Sequence, residues 1–253
     1  MTPIPRDPVS KVLKMIAWAV EGGPRSWGVR ELAEELDMTP STAHRNITAL
    51  VREGMFEPDG KEGRYRLGLE FYRLARIAAS QLTVEEQARA PMLRLFDACN
   101  ETVVLVLYQR GRPELLNATC IASDHSIVGD QYSVQVVADI NRWVPITMNA
   151  TALAICSHLP DLHRKEFIEA IRFDARSPIS AKSLPAEIAK VREQHFAIMK
   201  GYPNAGAGVV ASPIKKADGE VVGALSLAMP LARFHDEERL GQLVLENASA
   251  IQA

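Results

Sequence analysis

The chain has 253 residues, 47% hydrophobic and 24% charged, with a formal net charge of -2. That is enough to bury the core of one or two domains without disulfide or metal staples. It is not a chain that is basic throughout, so any nucleic-acid surface must be local.

Taken in order, the N-terminal run "MTPIPRDPVSKVLKMIAWAV" is interrupted by Lys11 and Lys14. It fits neither a signal peptide nor a membrane span. Residues 9–20 place Val9, Val12, Leu13, Ile16 and Val20 at helical spacing, and "EGGPRS" ends that helix. In "GVRELAEELDM", Val29, Leu32, Ala33 and Leu36 share one face of a second helix whose other face is acidic. Thr39 is a good N-cap and Pro40 a favoured first residue for a third helix, which Gly54 closes.

At about 100° per residue the third helix buries Ala43, Ile47, Leu50 and Val51. Arg45 is central on its outward side, with Ser41, Thr48 and Arg52 around it and Thr42 and His44 on the flanks. Two short helices joined by a tight turn after a supporting helix form a helix-turn-helix, whose last helix enters the DNA major groove. Long acidic side chains there would repel phosphate, whereas Ser, Thr and Arg approach base edges and phosphate oxygens. The same pattern also suits a solvated face on a three-helix bundle.

"MFEPDGKEGRYRLG" reads as strand, Gly-containing turn, strand, so a β-hairpin follows directly. Arg64 and Arg66 alternate with Tyr65 and Leu67 and share one face. Beside a recognition helix they make a wing able to reach backbone phosphates, or else the wet side of a strand. Residues 41–80 hold seven Lys/Arg against five Asp/Glu, so geometry argues for DNA more strongly than charge does.

Near residue 80 the pattern changes. A helix "VEEQARAPMLRLFDACN" precedes the strand "TVVLVLY", and "ELLNATCIA" and "YSVQVV" read as further strands. "MNATALAICSHL" is a helix of small residues whose first amides, near Asn149 and Ala150, favour an anion; the alternative is a helix capped by Asn149 for stability alone. Two polar helices, "DLHRKEFIEAI" and "LPAEIAKVREQHFAIMKG", precede the strands "AGVVASPI" and "VVGALSLAM", and a closing helix starts at Asp236. Cys99, Cys120 and Cys156 are far apart with no C-x-x-C, the pattern of free thiols in a reducing cytoplasm and not of zinc.

The stretch "ELAEELDMTPSTAHRNITALVREGMFEPDGKEGRYRLG" resembles the winged helix of the IclR family of bacterial transcriptional regulators. "WVPITMNATALAICSHLP" and "GYPNAGAGVVASPIKKADGEVVGALSLAMP" resemble that family's effector-domain segments, so the resemblance covers nearly the whole chain. It implies an α+β protein with a winged helix-turn-helix over 1–68 and a linker helix over 69–82. An effector-binding GAF-like domain with a curved antiparallel sheet follows over 83–253. On this resemblance the DNA-binding residues are Ser41, Thr42, His44, Arg45, Thr48, Arg52, Arg64 and Arg66.

The effector pocket carried over from the family comprises Asn149, Ala150, Val209, Ser226 and Ala228, with Val134 and Val136 as an apolar wall. Thr147 replaces the family's His, Ala152 its Gly and Val209 its frequent Cys. The usual acidic segment is cut to "PNA", leaving Asn204 as the nearest polar substitute. The expected partners are double-stranded DNA with a palindromic operator and a small carboxylate or aromatic effector. A second copy is also expected, as a homodimer or a dimer of dimers, paired through a stripe of Leu67, Phe71, Leu74 and Ile77 or Ala78. That stripe equally suits packing within its own chain. The expectations also include a cytoplasmic location, no membrane contact, no metal and no cofactor.

Two other function classes were weighed. One is a winged-helix module for protein contacts beside a ligand-free GAF-like domain. The other is a small-molecule enzyme, suggested by "GAGVVA", which fits G-x-G-x-x-A but lacks the strand before and helix after that a dinucleotide site needs. No G-x-S-x-G, S-x-x-K or H-E-x-x-H occurs, so no catalytic residue is expected.

Overall fold

The computed structural model describes residues 7–21, 25–60, 63–81, 83–124, 126–129, 132–135, 138–171 and 176–251. It separates into two compact units, Met1–Leu82 and Thr83–Ala253. The architecture is α+β.

The first unit contains α1 (Pro8–Glu21), β1 (Trp27–Gly28), α2 (Val29–Glu35), α3 (Pro40–Arg52), β2 (Phe56–Pro58), β3 (Arg64–Leu67) and α4 (Leu69–Gln81). The three strands form a small antiparallel sheet in the order β1-β3-β2. Strand β1 is an addition to the expected hairpin, since two residues are too few to show a period in the sequence. It carries Trp27, 1% exposed, which packs edge-on against Trp18 and Phe56. Around that aromatic centre lie Met15, Ala19, Leu32, Ala33, Ala43, Ile47 and Leu50. The last three confirm the buried side expected of α3.

Helix α1 differs from expectation. It turns Met15 and Ala19 inward and leaves Val9, Leu13 and Val20 exposed at 63%, 60% and 48%. The helix is apolar on two sides, and packing against the aromatic centre selects the side with Met15. At the other end of the unit, the start of α4 is fastened to the close of α3. Gly68 N–H donates to the Met55 carbonyl at 2.8 Å, and a Cβ on Gly68 would lie 2.2 Å from the Gly54 carbonyl oxygen. Only glycine allows that approach.

The second unit begins with α5 (Thr83–Cys99), β4 (Thr102–Tyr108), β5 (Glu114–Ile121), β6 (Ser126–Gly129), β7 (Tyr132–Gln135) and β8 (Arg142–Pro145). It continues with α6 (Ala150–His158), α7 (Asp161–Ala170), α8 (Leu184–Gln194), β9 (Ala197–Lys200), β10 (Ala207–Lys215), β11 (Val221–Pro230) and α9 (Glu237–Ser249). Six strands form an antiparallel sheet in the order β8-β5-β4-β11-β10-β9, and β6 and β7 form a separate hairpin.

Helices cover both faces of the six-stranded sheet. Val103 and Leu105 of β4 join the core with α5 and α9, while Val104 and Val106 join the core with α6, α7 and α8. This explains the unbroken apolar run of "TVVLVLY", where a strand wet on one side would alternate. Strand β9 corrects the expectation that α8 runs on through "HFAIMKG". The helix stops at Gln194, His195 adopts a left-handed φ of 63°, and Ala197–Lys200 pairs with β10 as an edge strand. Ala197 and Met199 are buried there and Lys200 is exposed, which is a strand's period of two.

Candidate nucleic-acid interface and effector site

Helix α3 starts as its sequence dictates. The Thr39 hydroxyl accepts from Thr42 N–H at 3.2 Å, and Pro40 occupies the first turn. Outward lie Ser41, His44, Arg45, Thr48 and Arg52, all exposed, with Thr42 half-buried. They are not equally available. The Thr42 hydroxyl sits 2.9 Å from that of Thr39, the Thr48 hydroxyl donates to the His44 carbonyl at 2.9 Å, and Arg52 pairs with Glu53 at 3.1 Å. Among the described residues, the side chains of Ser41, His44 and Arg45 have no partner. A guanidinium flanked by a small hydroxyl and an imidazole, free of any carboxylate, suits the edge of a guanine and its neighbouring phosphates.

The wing presents its arginines differently from the simple alternating picture. Arg64 is half-buried and turned toward β1 and α2. Its Nε donates to the Ser26 hydroxyl at 2.9 Å, a second nitrogen donates to the Ser26 carbonyl, and Glu31 lies 3.4 Å away. Arg66 lies beside Glu57 at 2.7 Å, its cross-strand neighbour, and 3.8 Å from Asp59. An exposed pair such as Arg66–Glu57 contributes about 0–1 kcal/mol, so a phosphate can compete for Arg66. The several bonds of Arg64 make it a brace between wing and helix.

In the second unit, the Asn149 side chain caps α6, its oxygen accepting from Ala152 N–H at 2.9 Å. Ala150 is fully buried beneath that turn. Next to it Thr151, 8% exposed, places its hydroxyl 2.9 Å from that of Ser226, 3% exposed, on β11. Two residues along β11, on the same face as Ser226, Ala228 stands opposite Val209 of β10, and both are half-buried. The fold thus brings Asn149, Ala150, Ser226, Ala228 and Val209 to one end of the sheet face under α6.

Asn204 is elsewhere in character. It is exposed, and its side-chain oxygen accepts from Gly206 N–H at 3.0 Å to hold a turn. Val134 falls on β7, and its side chain, with the whole of Val136, lies outside the described residues. Thr151 was not anticipated. Every residue of α6 from Ala150 to Ser157 is buried, so no amphipathic pattern marks which side chain faces the sheet.

The far end of α6 holds a pair of histidines. His158 Nδ1 lies 3.1 Å from the Ala154 carbonyl and its Nε2 3.3 Å from His195 Nδ1. Burial takes the His158 pKa from 6.5 down to about 4. The Ala154 carbonyl opposes that shift, and Lys215, His195 and Arg192 add to it.

Comparison with known proteins joins the two units. The family described as "Bacterial transcriptional regulator IclR C-terminal" matches residues 77–253, and the "IclR helix-turn-helix domain" matches residues 12–60. The chain belongs to the IclR family. It is a transcriptional regulator with a helix-turn-helix DNA-binding domain.

Among relatives, the "Probable HTH-type transcriptional regulator ArcR" of Halobacterium salinarum is 28% identical over 232 residues, covering 88% of this chain and 85% of the relative. The HTH-type regulator KdgR of Escherichia coli is 25% identical over 242 residues, covering 94% and 88%. An IclR homologue from Microbacterium hydrocarbonoxydans, solved with 4-hydroxybenzoate, shares the fold with a TM-score of 0.75 at 21% identity, covering 97% of this chain and 98% of that one. These curated relatives are named as transcriptional regulators and not as enzymes. The "GAGVVA" run lies largely in β10, between β9 and β11 of an antiparallel sheet, with no helix following. Among the described residues no helix is long and apolar enough to cross a membrane.

Proposed function

We propose that this IclR-family regulator reads a palindromic operator as a cytoplasmic dimer and releases or tightens its hold when a small carboxylate or aromatic acid binds under α6. The observation that carries the DNA half is the outward face of α3, where Ser41, His44 and Arg45 have no internal partner among the described residues. In a helix whose other residues are capped, paired or buried, an unpaired guanidinium at the centre of the wet face is a contact awaiting its ligand.

Pairing with a second copy is supported by apolar surface that the first unit leaves uncovered. Helix α4 has no buried residue, and Leu69, Tyr72, Leu74 and Ile77 are exposed. Residues Val9, Leu13 and Val20 of α1 add to it. Monomers seldom expose so many large apolar side chains on one small unit.

The effector half rests on the half-buried Val209 and Ala228 beside the Thr151–Ser226 hydroxyls, an apolar surface with a few polar handles. The 4-hydroxybenzoate bound by the Microbacterium homologue is an aromatic acid of this kind. The test starts from a duplex selected by the protein from a random pool. Aromatic and aliphatic carboxylates are then titrated into the complex, and calorimetry is repeated on Asn149→Leu and Ser226→Ala. The proposal expects a carboxylate that changes operator affinity and binds either variant more weakly. A carboxylate bound equally by both variants would place the pocket elsewhere, and failure to select any duplex would remove the DNA reading.

A further inference from the structure

The basic side chains of the winged unit differ in whether they are already engaged. Arg52 is paired with Glu53, Arg64 with Ser26 and Glu31, Arg66 with Glu57 and Asp59, and Arg73 with Glu70. Arg30 is exposed and, among the described residues, has no hydrogen-bond or ion-pair partner.

Its position is specific. Arg30 is the second residue of α2 and, with Ala33, Glu34, Asp37, Met38 and Pro40, lines a notch of about 240 Å³. Pro40 is the first residue of α3, so Arg30 stands beside the end of the helix that enters the groove. On the other side, Gly28 precedes α2 and pairs in register with Arg64 at the start of the wing's second strand. A Cβ on Gly28 would lie 3.8 Å from the Gly63 carbonyl in the wing turn. Arg30 therefore sits between the entering end of α3 and the wing turn. Arg25 is also exposed, but the antiparallel register carries it away from the wing turn.

We propose that Arg30 anchors a backbone phosphate between the recognition helix and the wing, the role that the wing arginine Arg64 gives up by bracing Ser26 and Glu31. The proposal rests on α3 being the recognition helix. A phosphate contact of this kind fixes register and carries no sequence information. Its signature is therefore a weaker grip on all sequences and a smaller salt dependence, in contrast to a base contact.

The experiment is a salt series of fluorescence-anisotropy titrations with the full chain. The probes are a duplex selected by the wild type from a random pool and an unrelated duplex of equal length. Arg30→Ala is expected to weaken both duplexes by a similar factor and to lower the slope of log K against log salt by about 0.9. Arg30→Lys keeps the slope, as does Arg64→Ala, and melting of Arg30→Ala is unchanged. A wild-type slope in Arg30→Ala overturns the proposal, and so does a lower slope in Arg64→Ala. Arg45→Ala separates this from the underlying reading. If it keeps the preference for the selected duplex, the recognition-helix reading fails. If it loses the preference while Arg30→Ala keeps the slope, the Arg30 anchor alone fails.

Discussion

Helices α3 and α6 are built from similar parts and serve opposite ends. Each follows a polar N-cap, Thr39 or Asn149, whose side chain accepts a backbone N–H of the first turn. Each is short and rich in small residues. Yet α3 buries Ala43, Ile47 and Leu50 and leaves the rest to solvent, whereas α6 is buried from Ala150 through Ser157. In α3 the inward face holds the unit together and the outward face is free for a partner. In α6 no face is spare, so only its ends can carry chemistry: the Thr151–Ser226 hydroxyls at one and the His158–His195 contact at the other.

The contrast breaks most readily under truncation. Leu153, 1% exposed in the middle of α6, is expected to cost about 2–5 kcal/mol of stability when changed to alanine, as buried leucines do. Urea unfolding of the second unit measures this. Ser41→Ala on the wet face of α3 is expected to leave the unfolding midpoint where it is. A large loss from Ser41→Ala, or none from Leu153→Ala, would undo the division between a working face and a structural core.

The caps sharpen it at a smaller scale. Thr39→Ala and Asn149→Ala should each remove about 1 kcal/mol of stability, the ordinary worth of an N-cap side chain. If Asn149 serves as a cap alone, Asn149→Asp should bind the effector as the wild type does. Weaker binding by a variant whose melting temperature is preserved would show that the side chain meets ligand as well.

A pH dependence is the smallest effect expected. Folded, His158 stays neutral to about pH 4, while in the unfolded chain it protonates near 6.5. Its contribution is therefore fully present above pH 6.5 and is lost as pH falls from there toward 4. Melting temperatures of the wild type and His158→Gln should diverge least at pH 5 and most above pH 7. Parallel curves across that range would contradict the burial of the neutral ring.

What the sequence made legible follows the same physics. The buried side of α3 was readable because a helix wet on one side shows its period in the residues, and the N-cap and closing glycine bound it. Helix α6 has no wet side, so Thr151 could not be told from its neighbours without the position of Ser226, 75 residues later. The brace on Arg64 was hidden for the same reason, since Glu31 is 33 residues away in sequence. Strand β9 was misread because Ala197, Ile198 and Met199 favour helix almost as much as strand. The left-handed turn at His195, from a residue other than glycine, left no local mark. In α1 the sequence offered two apolar sides and packing chose the other one. The side left over, with Val9, Leu13 and Val20, is informative because nothing within the unit covers it.

The central claim is that the outward face of α3 reads DNA and contributes nothing to the fold. It is tested most directly by measuring Arg45→Ala twice, in a thermal melt and in titrations of the selected duplex against single-base variants of it. The account predicts an unchanged melt, a loss of about 1–3 kcal/mol on the selected duplex and a relaxed preference at one base position in each half-site. Wild-type affinity and selectivity in Arg45→Ala would contradict it.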